Sequence, residues 1–214
     1  MSNLFSNFKR NRLYVITDAN LTPGESLIKS VAEAIDGGAS MVQYRNKEAD
    51  FGQKMWEIQD LRILCNSLNI PLIVNDDVKL AIESGADGVH LGKEDMSVVE
   101  ARSKLGDSSI IGVSCYNDIG LAEQAQIDGA SYVAFGSCFV SKTKPNSQCC
   151  SLSTITAAKD KLTIPVVAIG GIDQTNVKEV IEAGADIVAV ISGVFAQKSI
   201  QNAASLISNQ FVSS

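Results

Sequence analysis

DGGASMVQYR, at residues 36–45, contains a Gly-Ala pair followed by a short apolar run, and this pattern returns three times along the chain. The other copies are SGADGVHLG (84–92), DGASYVAFG (128–136) and AGADIVAVIS (183–192). Glycine suits the left-handed conformation that closes a helix. A short, continuously apolar run is typical of a strand that is buried on both faces. Each copy therefore predicts the end of a helix followed by a buried strand.

Four further apolar runs predict strands between these copies: RLYVITD (12–18), PLIVND (71–76), SIIGVS (109–114) and IPVVAIGG (164–171). Helical patterns separate the strands, at about 25–36, 51–68, 77–84, 97–105, 118–128, 152–161, 174–183 and 199–210. Ser97-x-x-Glu100 predicts a capping box at the start of the fourth helix, and Asp173 is expected to cap the seventh. Trp56, in the second helix, is expected to pack against the core.

The strict alternation of strands and helices indicates parallel strands with right-handed crossovers. Eight such units predict an α/β fold, a single-domain (β/α)8 TIM barrel over residues 1–214, with 1–11 as a short N-terminal extension. An open doubly wound sheet is the alternative, but the even spacing of the units favours closure. In such barrels the active site lies at the C-terminal ends of the strands. The polar residues that follow the apolar runs are therefore the candidate site residues.

Composition excludes several kinds of partner. The chain has a formal net charge of −6 and a single histidine, which disfavours binding to nucleic acid or an anionic membrane and excludes zinc sites built from several histidines. The five cysteines are odd in number and lack CxxC spacing, which favours free thiols in the cytoplasm. The pair Cys149–Cys150 allows a redox role, but it is more simply an accident of the loop sequence.

The first ten residues, MSNLFSNFKR, lack the apolar core of a secretory signal, and no apolar run is long enough to span a membrane. We therefore expect a cytoplasmic protein whose partners are small molecules. The pattern leaves the oligomeric state open, and a homo-oligomer is possible.

The segment after the second strand carries an amide and two cations. Because side chains alternate along a strand, Gln43, Arg45 and Lys47 are predicted to point to the same side, toward the mouth of the barrel. A planar guanidinium and an ammonium together suit a diphosphate. The alternative is a pair of surface ion pairs with Glu48 or Asp50.

Two carboxylates follow the third and fourth strands. Asn75-Asp76-Asp77 ends a strand and begins a helix, and one aspartate there is sufficient as an N-cap. Asp76 and Asp95 come from neighbouring strands, where they could share Mg²⁺, an ion that commonly uses one or two carboxylates and completes its shell with water and phosphate. The alternative is that both are solvated loop acids.

Two glycine-rich loops predict a phosphate site. Gly170-Gly171 follows the seventh strand and Ser192-Gly193 the eighth, where backbone N–H groups can bind phosphate without a cationic side chain. His90 could act as a general base, but a structural histidine held by hydrogen bonds is the favoured interpretation.

Over nearly its whole length the chain resembles the thiamine-phosphate synthases. The landmarks are QYRNK (43–47), VNDD (74–77), HLGKED (90–95), GVS (112–114), SKTK (141–144), IGGI (169–172) and VIS (190–192). The resemblance implies that a hydroxymethylpyrimidine diphosphate and a thiazole phosphate are joined into thiamine phosphate. Pyrophosphate leaves in a Mg²⁺-assisted dissociative substitution.

The resemblance also implies roles for individual residues. Contacts to the pyrimidine diphosphate would come from Gln43, Tyr44, Arg45, Asn46, Lys47, Asn75, Ser114 and Lys144. Of these, Arg45, Lys47, Ser114 and Lys144 would be catalytic. Asp76 and Asp95 would hold Mg²⁺. The thiazole phosphate would contact Ser141, Lys142, Thr143, Gly171, Ile191 and Ser192.

The chain departs from the family pattern at a few positions. Lys93 stands where the family commonly has glutamine, and Ser137, Val140 and Ser141 replace the usual residues of the strand-6 loop. Two other functions fit parts of the pattern. One is a thiazole tautomerase of the same barrel family, and the other is a barrel that binds phosphate ligands without catalysis. Neither function would use the two aspartates together with the cations Lys47 and Lys144.

Overall fold

The computed structural model describes residues 12–139 and 150–211, which form a closed eight-stranded barrel. All adjacent strands pair in parallel, and β8 closes against β1. The strands are β1 (Leu13–Ile16), β2 (Ala39–Tyr44), β3 (Leu72–Asn75), β4 (Gly88–Leu91), β5 (Ile110–Tyr116), β6 (Tyr132–Phe135), β7 (Val166–Ile169) and β8 (Ile187–Val190). The predicted (β/α)8 barrel is thus confirmed.

Helices cover the outside of the barrel. They are α1 (Gly24–Asp36), α2 (Phe51–Ser67), α3 (Val78–Ser84), α4 (Val98–Leu105), α5 (Ile119–Ile127), α6 (Leu152–Lys161), α7 (Val177–Glu182), α8 (Ser192–Phe195) and α9 (Ile200–Ser208), with a 3₁₀ helix at Asn209–Phe211. None of the helices in the described ranges is long and apolar enough to cross a bilayer.

Two apolar layers hold these elements together. The inner layer fills the barrel with alternate strand residues, among them Met41, Ile73 and Val167. The outer layer joins the other face of each strand to the helices, through residues such as Val42 and Ile58. Strands buried on both faces are continuously apolar, which is why the short runs were recognisable in the sequence.

The predicted helix ends are largely confirmed. The glycines of the four Gly-Ala pairs adopt positive φ angles between 64° and 104°, as expected for residues that close helices. Ser97 caps α4 by accepting a hydrogen bond from the Glu100 amide. The prediction for Asp173 is wrong. Its carboxylate accepts from Thr175 in a turn, so α7 begins later, after Asn176.

The expectation for Trp56 is also wrong, because 60% of the residue is exposed. The buried side of α2 is formed by Glu57, Ile58, Leu61 and Cys65, and Trp56 lies outside that stripe. The short helix α8, which begins at Ser192, was not predicted. A single helical turn has too few residues to show a periodic pattern.

Candidate active site

The polar residues at the C-terminal ends of the strands surround one cavity of about 510 Å³. Its lining brings together seven of the predicted polar site residues: Gln43, Arg45, Lys47, Asn75, Asp76, Asp95 and Ser114. These residues come from β2, β3, β5 and the loops that follow β2, β3 and β4. The prediction that these side chains come together at the barrel mouth is therefore confirmed.

The two cations of the β2–α2 loop face this cavity. Lys47 Nζ lies 3.0 Å from Asp76 Oδ2, and Arg45 lies 3.9 Å from Asp18 Oδ2. The alternative of ion pairs with Glu48 or Asp50 is wrong, since the Asp50 side chain instead caps α2 through the Gln53 amide. Both cations are thus held at the mouth, where an anionic ligand could exchange places with the carboxylates.

Tyr44 and Asn46 do not reach this cavity with their side chains, contrary to expectation. Both donate hydrogen bonds to the buried carboxylate of Glu57, Tyr44 over 2.6 Å and Asn46 over 3.1 Å. They line a smaller neighbouring cavity of about 290 Å³. The physical reason is strand alternation, which turns 44 and 46 away from the side used by Gln43 and Arg45.

Asp76 and Asp95 form the expected pair. Asp77 caps α3 through the Leu80 amide, so Asp76 is not needed at the helix start. Asp95 accepts a hydrogen bond of 2.7 Å from the Gly92 amide. Burial raises the pKa of Asp95, the Gly92 amide opposes the shift, and the neighbouring Asp76 carboxylate adds to the rise. Two acids this close favour a bound cation.

This donor set fits Mg²⁺. In the described part of the chain, no cluster of three or more His, Cys, Asp or Glu side chains could hold a metal ion. Mg²⁺ needs fewer, because it is commonly bound by one or two carboxylates with water and substrate phosphate completing the shell. Asp76 and Asp95 offer that number of carboxylates beside Lys47 and Arg45, which can bind the phosphates.

A second cavity of about 310 Å³ adjoins the first. It is lined by Gly136, Gly170, Gly171, Ile172 and Ser192, and by six residues that also line the first cavity: Ser114, Tyr116, Ala134, Ile169, Ala189 and Ile191. Among the described residues, the amides of Gly171, Ser192 and Gly193 donate to no protein acceptor. Such free N–H groups can bind an anion.

His90 belongs to a hydrogen-bonded chain at the bottom of the first cavity. Gln43 Nε2 donates to the Tyr14 hydroxyl over 2.6 Å, and this hydroxyl lies 3.0 Å from that of Tyr132. Tyr132 lies 3.0 Å from His90 Nδ1, and Ser114 Oγ lies 2.9 Å from His90 Nε2. Burial lowers the pKa of His90 to about 4, so the ring is neutral near pH 7. The expectation that hydrogen bonds hold His90 in place is confirmed.

Six residues discussed from the sequence lie outside the described residues: Val140, Ser141, Lys142, Thr143, Lys144 and Cys149. Ser137 is described, and its hydroxyl donates to the carbonyl of Phe139. Lys93 lines the first cavity, and its amide lies 3.4 Å from the hydroxyl of Tyr116.

Four residues of the site were not predicted. Asp18 follows β1, and its position as a polar residue after a strand is the signal that could have identified it. Tyr116 reaches the mouth because the register of β5 against β6 shifts between Ser114 and Tyr116. Tyr14 and Tyr132 are fully buried within strands, where an aromatic residue signals only core.

Comparison with known proteins identifies the family. Residues 13–194 match the family model described as thiamine monophosphate synthase. The thiamine-phosphate synthase of Nitrosococcus oceani is 47% identical over 94% of this chain and 93% of its own, and that of Methylococcus capsulatus is 46% identical over 95% and 90%. The structure of thiamine phosphate pyrophosphorylase from Pyrococcus furiosus superposes with a TM-score of 0.86 at 35% identity, covering 94% of this chain and 96% of that one. The chain belongs to the thiamine monophosphate synthase family.

Proposed function

We propose that the chain is a thiamine-phosphate synthase, a transferase that joins a hydroxymethylpyrimidine diphosphate to a thiazole phosphate and releases pyrophosphate. The observation that carries this proposal is a pair of adjoining cavities that share six lining residues. One is lined by cations and carboxylates, and the other includes Gly171 and Ser192, whose amides donate to no acceptor among the described residues. A reaction between a diphosphate and a monophosphate needs two such sites side by side.

The larger cavity suits the pyrimidine diphosphate. Arg45 and Lys47 would bind the diphosphate with Asn75, and Gln43 and Ser114 would contact the pyrimidine. Lys144, which lies outside the described residues, is proposed from the family resemblance to join the two cations.

Asp76 and Asp95 would hold Mg²⁺ at this site. When bound there, the ion would neutralise part of the negative charge that develops on the departing pyrophosphate. Lys47 would stabilise the same charge, and the distance of 3.0 Å between its ammonium and Asp76 Oδ2 supports this role.

The smaller cavity suits the thiazole phosphate. The amides of Gly171 and Ser192 would bind the phosphate, with Ile191 against the ring. Ser141, Lys142 and Thr143 are proposed from the resemblance to complete this site.

The reaction breaks the bond between the pyrimidine methylene carbon and the diphosphate oxygen, whose electron pair leaves with pyrophosphate. The methylene carbon is then stabilised by the ring amino group, and the thiazole nitrogen supplies the electron pair of the new C–N bond. Arg45 and Lys47 stabilise the charge of the leaving group. No proton has to be removed, which agrees with the neutral, fully engaged imidazole of His90.

Pyrophosphate release, measured with both substrates and Mg²⁺ and with each substrate alone, tests this function. Release that requires both substrates is the expected result. Conversion of a thiazole phosphate alone would indicate a tautomerase, and binding without turnover would indicate a non-catalytic barrel. Either outcome would contradict the proposal.

The adjacent residue Asp77 provides the matched control for a substitution of Asp76 at the proposed metal site. Asp76→Ala is expected to slow pyrophosphate release by at least a hundredfold while leaving the fold intact. Asp77→Ser removes the neighbouring carboxylate but keeps a residue that can cap α3, and it should retain most activity. Near-normal turnover of Asp76→Ala would refute the metal assignment.

We propose that the protein acts in the cytoplasm. The described cysteines Cys65, Cys115, Cys138 and Cys150 are all thiols, and no disulfide joins them. Buried thiols of this kind are typical of proteins in a reducing compartment.

A further inference from the structure

The hydrogen-bonded chain inside the barrel contains three residues to which the substrate sites assign no role: Tyr14, Tyr132 and His90. Tyr132 is fully buried and Tyr14 is 1% exposed. Their four hydrogen bonds, from Gln43 at one end to Ser114 at the other, measure between 2.6 and 3.0 Å. Both end residues line the larger cavity, so the chain links two substrate-facing side chains through the core.

The hydrogen-bonded chain has a direction, which follows from the number of hydrogens that each group can donate. Gln43 donates to the Tyr14 oxygen, so the single hydroxyl hydrogen of Tyr14 is left for the Tyr132 oxygen, its other partner among the described residues. The hydrogen of Tyr132 then goes to His90 Nδ1. A neutral imidazole that accepts at Nδ1 carries its hydrogen on Nε2. That hydrogen is donated to Ser114 Oγ.

The direction decides what the two ends offer to a ligand. Because the Ser114 oxygen receives a hydrogen from His90, the serine's own hydrogen is free to point into the cavity. Because the Gln43 amide nitrogen is engaged with Tyr14, its carbonyl oxygen remains as an acceptor. The two ends of the hydrogen-bonded chain therefore present a donor at Ser114 and an acceptor at Gln43, which complement the ring nitrogen and the neighbouring amino group of an aminopyrimidine.

We propose that Tyr132 and His90 are positioning residues that fix the Nε2–H tautomer of His90 and thereby make Ser114 a hydrogen-bond donor to the pyrimidine, while Tyr14 orients the Gln43 side chain. This inference deepens the proposed function, and its kinetic part rests on that function. The three residues do not touch the reacting atoms. They act through Ser114 and Gln43.

The tautomer can be measured without any substrate. Since the chain contains a single histidine, ¹⁵N labelling of histidine gives one pair of ring nitrogen resonances. Long-range ¹H–¹⁵N correlation near neutral pH is expected to show a protonated Nε2 and an unprotonated Nδ1. A ring that carries its hydrogen on Nδ1, on both nitrogens, or in rapid exchange between them would overturn the proposal, whatever reaction the protein performs.

A double-mutant cycle tests whether Tyr132 acts through Ser114. Tyr132→Phe and Ser114→Ala are each expected to lower kcat/KM for the pyrimidine diphosphate by about tenfold, the size of one lost hydrogen bond. The loss should appear in KM for this substrate, with KM for the thiazole phosphate unchanged. The double variant should be no worse than Ser114→Ala alone, because the second change removes what the first one positions.

Tyr14→Phe is the matched control for this cycle. It also removes one buried hydroxyl, but it leaves the Tyr132 hydrogen available to His90. When Tyr14→Phe is combined with Ser114→Ala, the two fold-losses in kcat/KM should therefore multiply. Losses that multiply for Tyr132→Phe as well would show a merely structural role and overturn the proposal. If the tyrosine variants fail to fold in thermal unfolding, the tautomer measurement on the unaltered protein still decides the question.

Discussion

Glu57 carries the sharpest prediction about how the active-site loop is held. The residue is 3% exposed and lies on the inner side of α2. Its carboxylate accepts hydrogen bonds from Tyr44 over 2.6 Å, from Gln53 over 2.9 Å and from Asn46 over 3.1 Å. In turn, the Asn46 side chain accepts from the amides of Glu48 and Ala49. Glu57 therefore fixes the loop that presents Lys47.

Glu57→Ala is expected to destabilise the protein by about 3 kcal/mol, because it leaves the buried Tyr44 hydroxyl and the Asn46 amide without an acceptor. In a protein of this size that corresponds to a fall in Tm of roughly 6–12 °C. Glu57→Gln should cost about 1 kcal/mol or less, since its carbonyl can still accept from Tyr44 and Asn46 while the Gln53 amide turns around.

The free energy of unfolding is measured by urea denaturation, and steady-state kinetics reports on the loop. We expect Glu57→Ala to raise KM for the pyrimidine diphosphate several-fold, through the loosened loop, while KM for the thiazole phosphate stays the same. Equal stabilities of the alanine and glutamine variants, or an alanine variant within about 1 kcal/mol of the unaltered protein, would refute the reasoning.

Two further predictions concern backbone fit and pH. Gly171→Ala should raise KM for the thiazole phosphate at least tenfold, because φ is 65° and a Cβ atom would lie 2.7 Å from the Phe139 carbonyl oxygen. Gly106→Ala, also at positive φ but with nothing within 4 Å, is the kinetic control and should change only stability. Separately, burial lowers the pKa of His90 from 6.5 to about 4. As pH falls, the His90 imidazole is therefore protonated first in the unfolded chain. The free energy of unfolding should fall by a value on the order of 3 kcal/mol between pH 6.5 and about 4. Denaturation midpoints of His90→Gln should depend less on pH there; equal dependence would contradict the prediction.

The fold was predictable because local and global signals agree. Each Gly-Ala pair closes a helix at positive φ before a strand buried on both faces, so turn chemistry and hydropathy identify the same boundary. Closure of the barrel then carries the polar ends of β2, β3 and β5 to one mouth. That is why Gln43, Asn75 and Ser114 could be placed together without knowledge of their contacts.

Parts of the site were not predictable, for different reasons. The contact between Tyr14 and Tyr132 joins residues 118 positions apart, and a core tyrosine looks the same in a sequence whether or not its hydroxyl has a partner. The assignment of Tyr44 and Asn46 to the substrate followed the family resemblance, although strand alternation turns both toward Glu57. Strand alternation alone predicts the orientation of these two side chains.

The backbone of Asp76 has a consequence for how this protein could be stabilised. Asp76 adopts a φ of 64°, a conformation that costs most residues with a side chain about 1–2 kcal/mol and costs glycine almost nothing. The folded state therefore bears a backbone cost at the position that places one carboxylate beside Lys47. Asp76→Gly would relieve this backbone cost, but it would also remove the partner of Lys47 and, under the proposed function, one of the two carboxylates of the metal site.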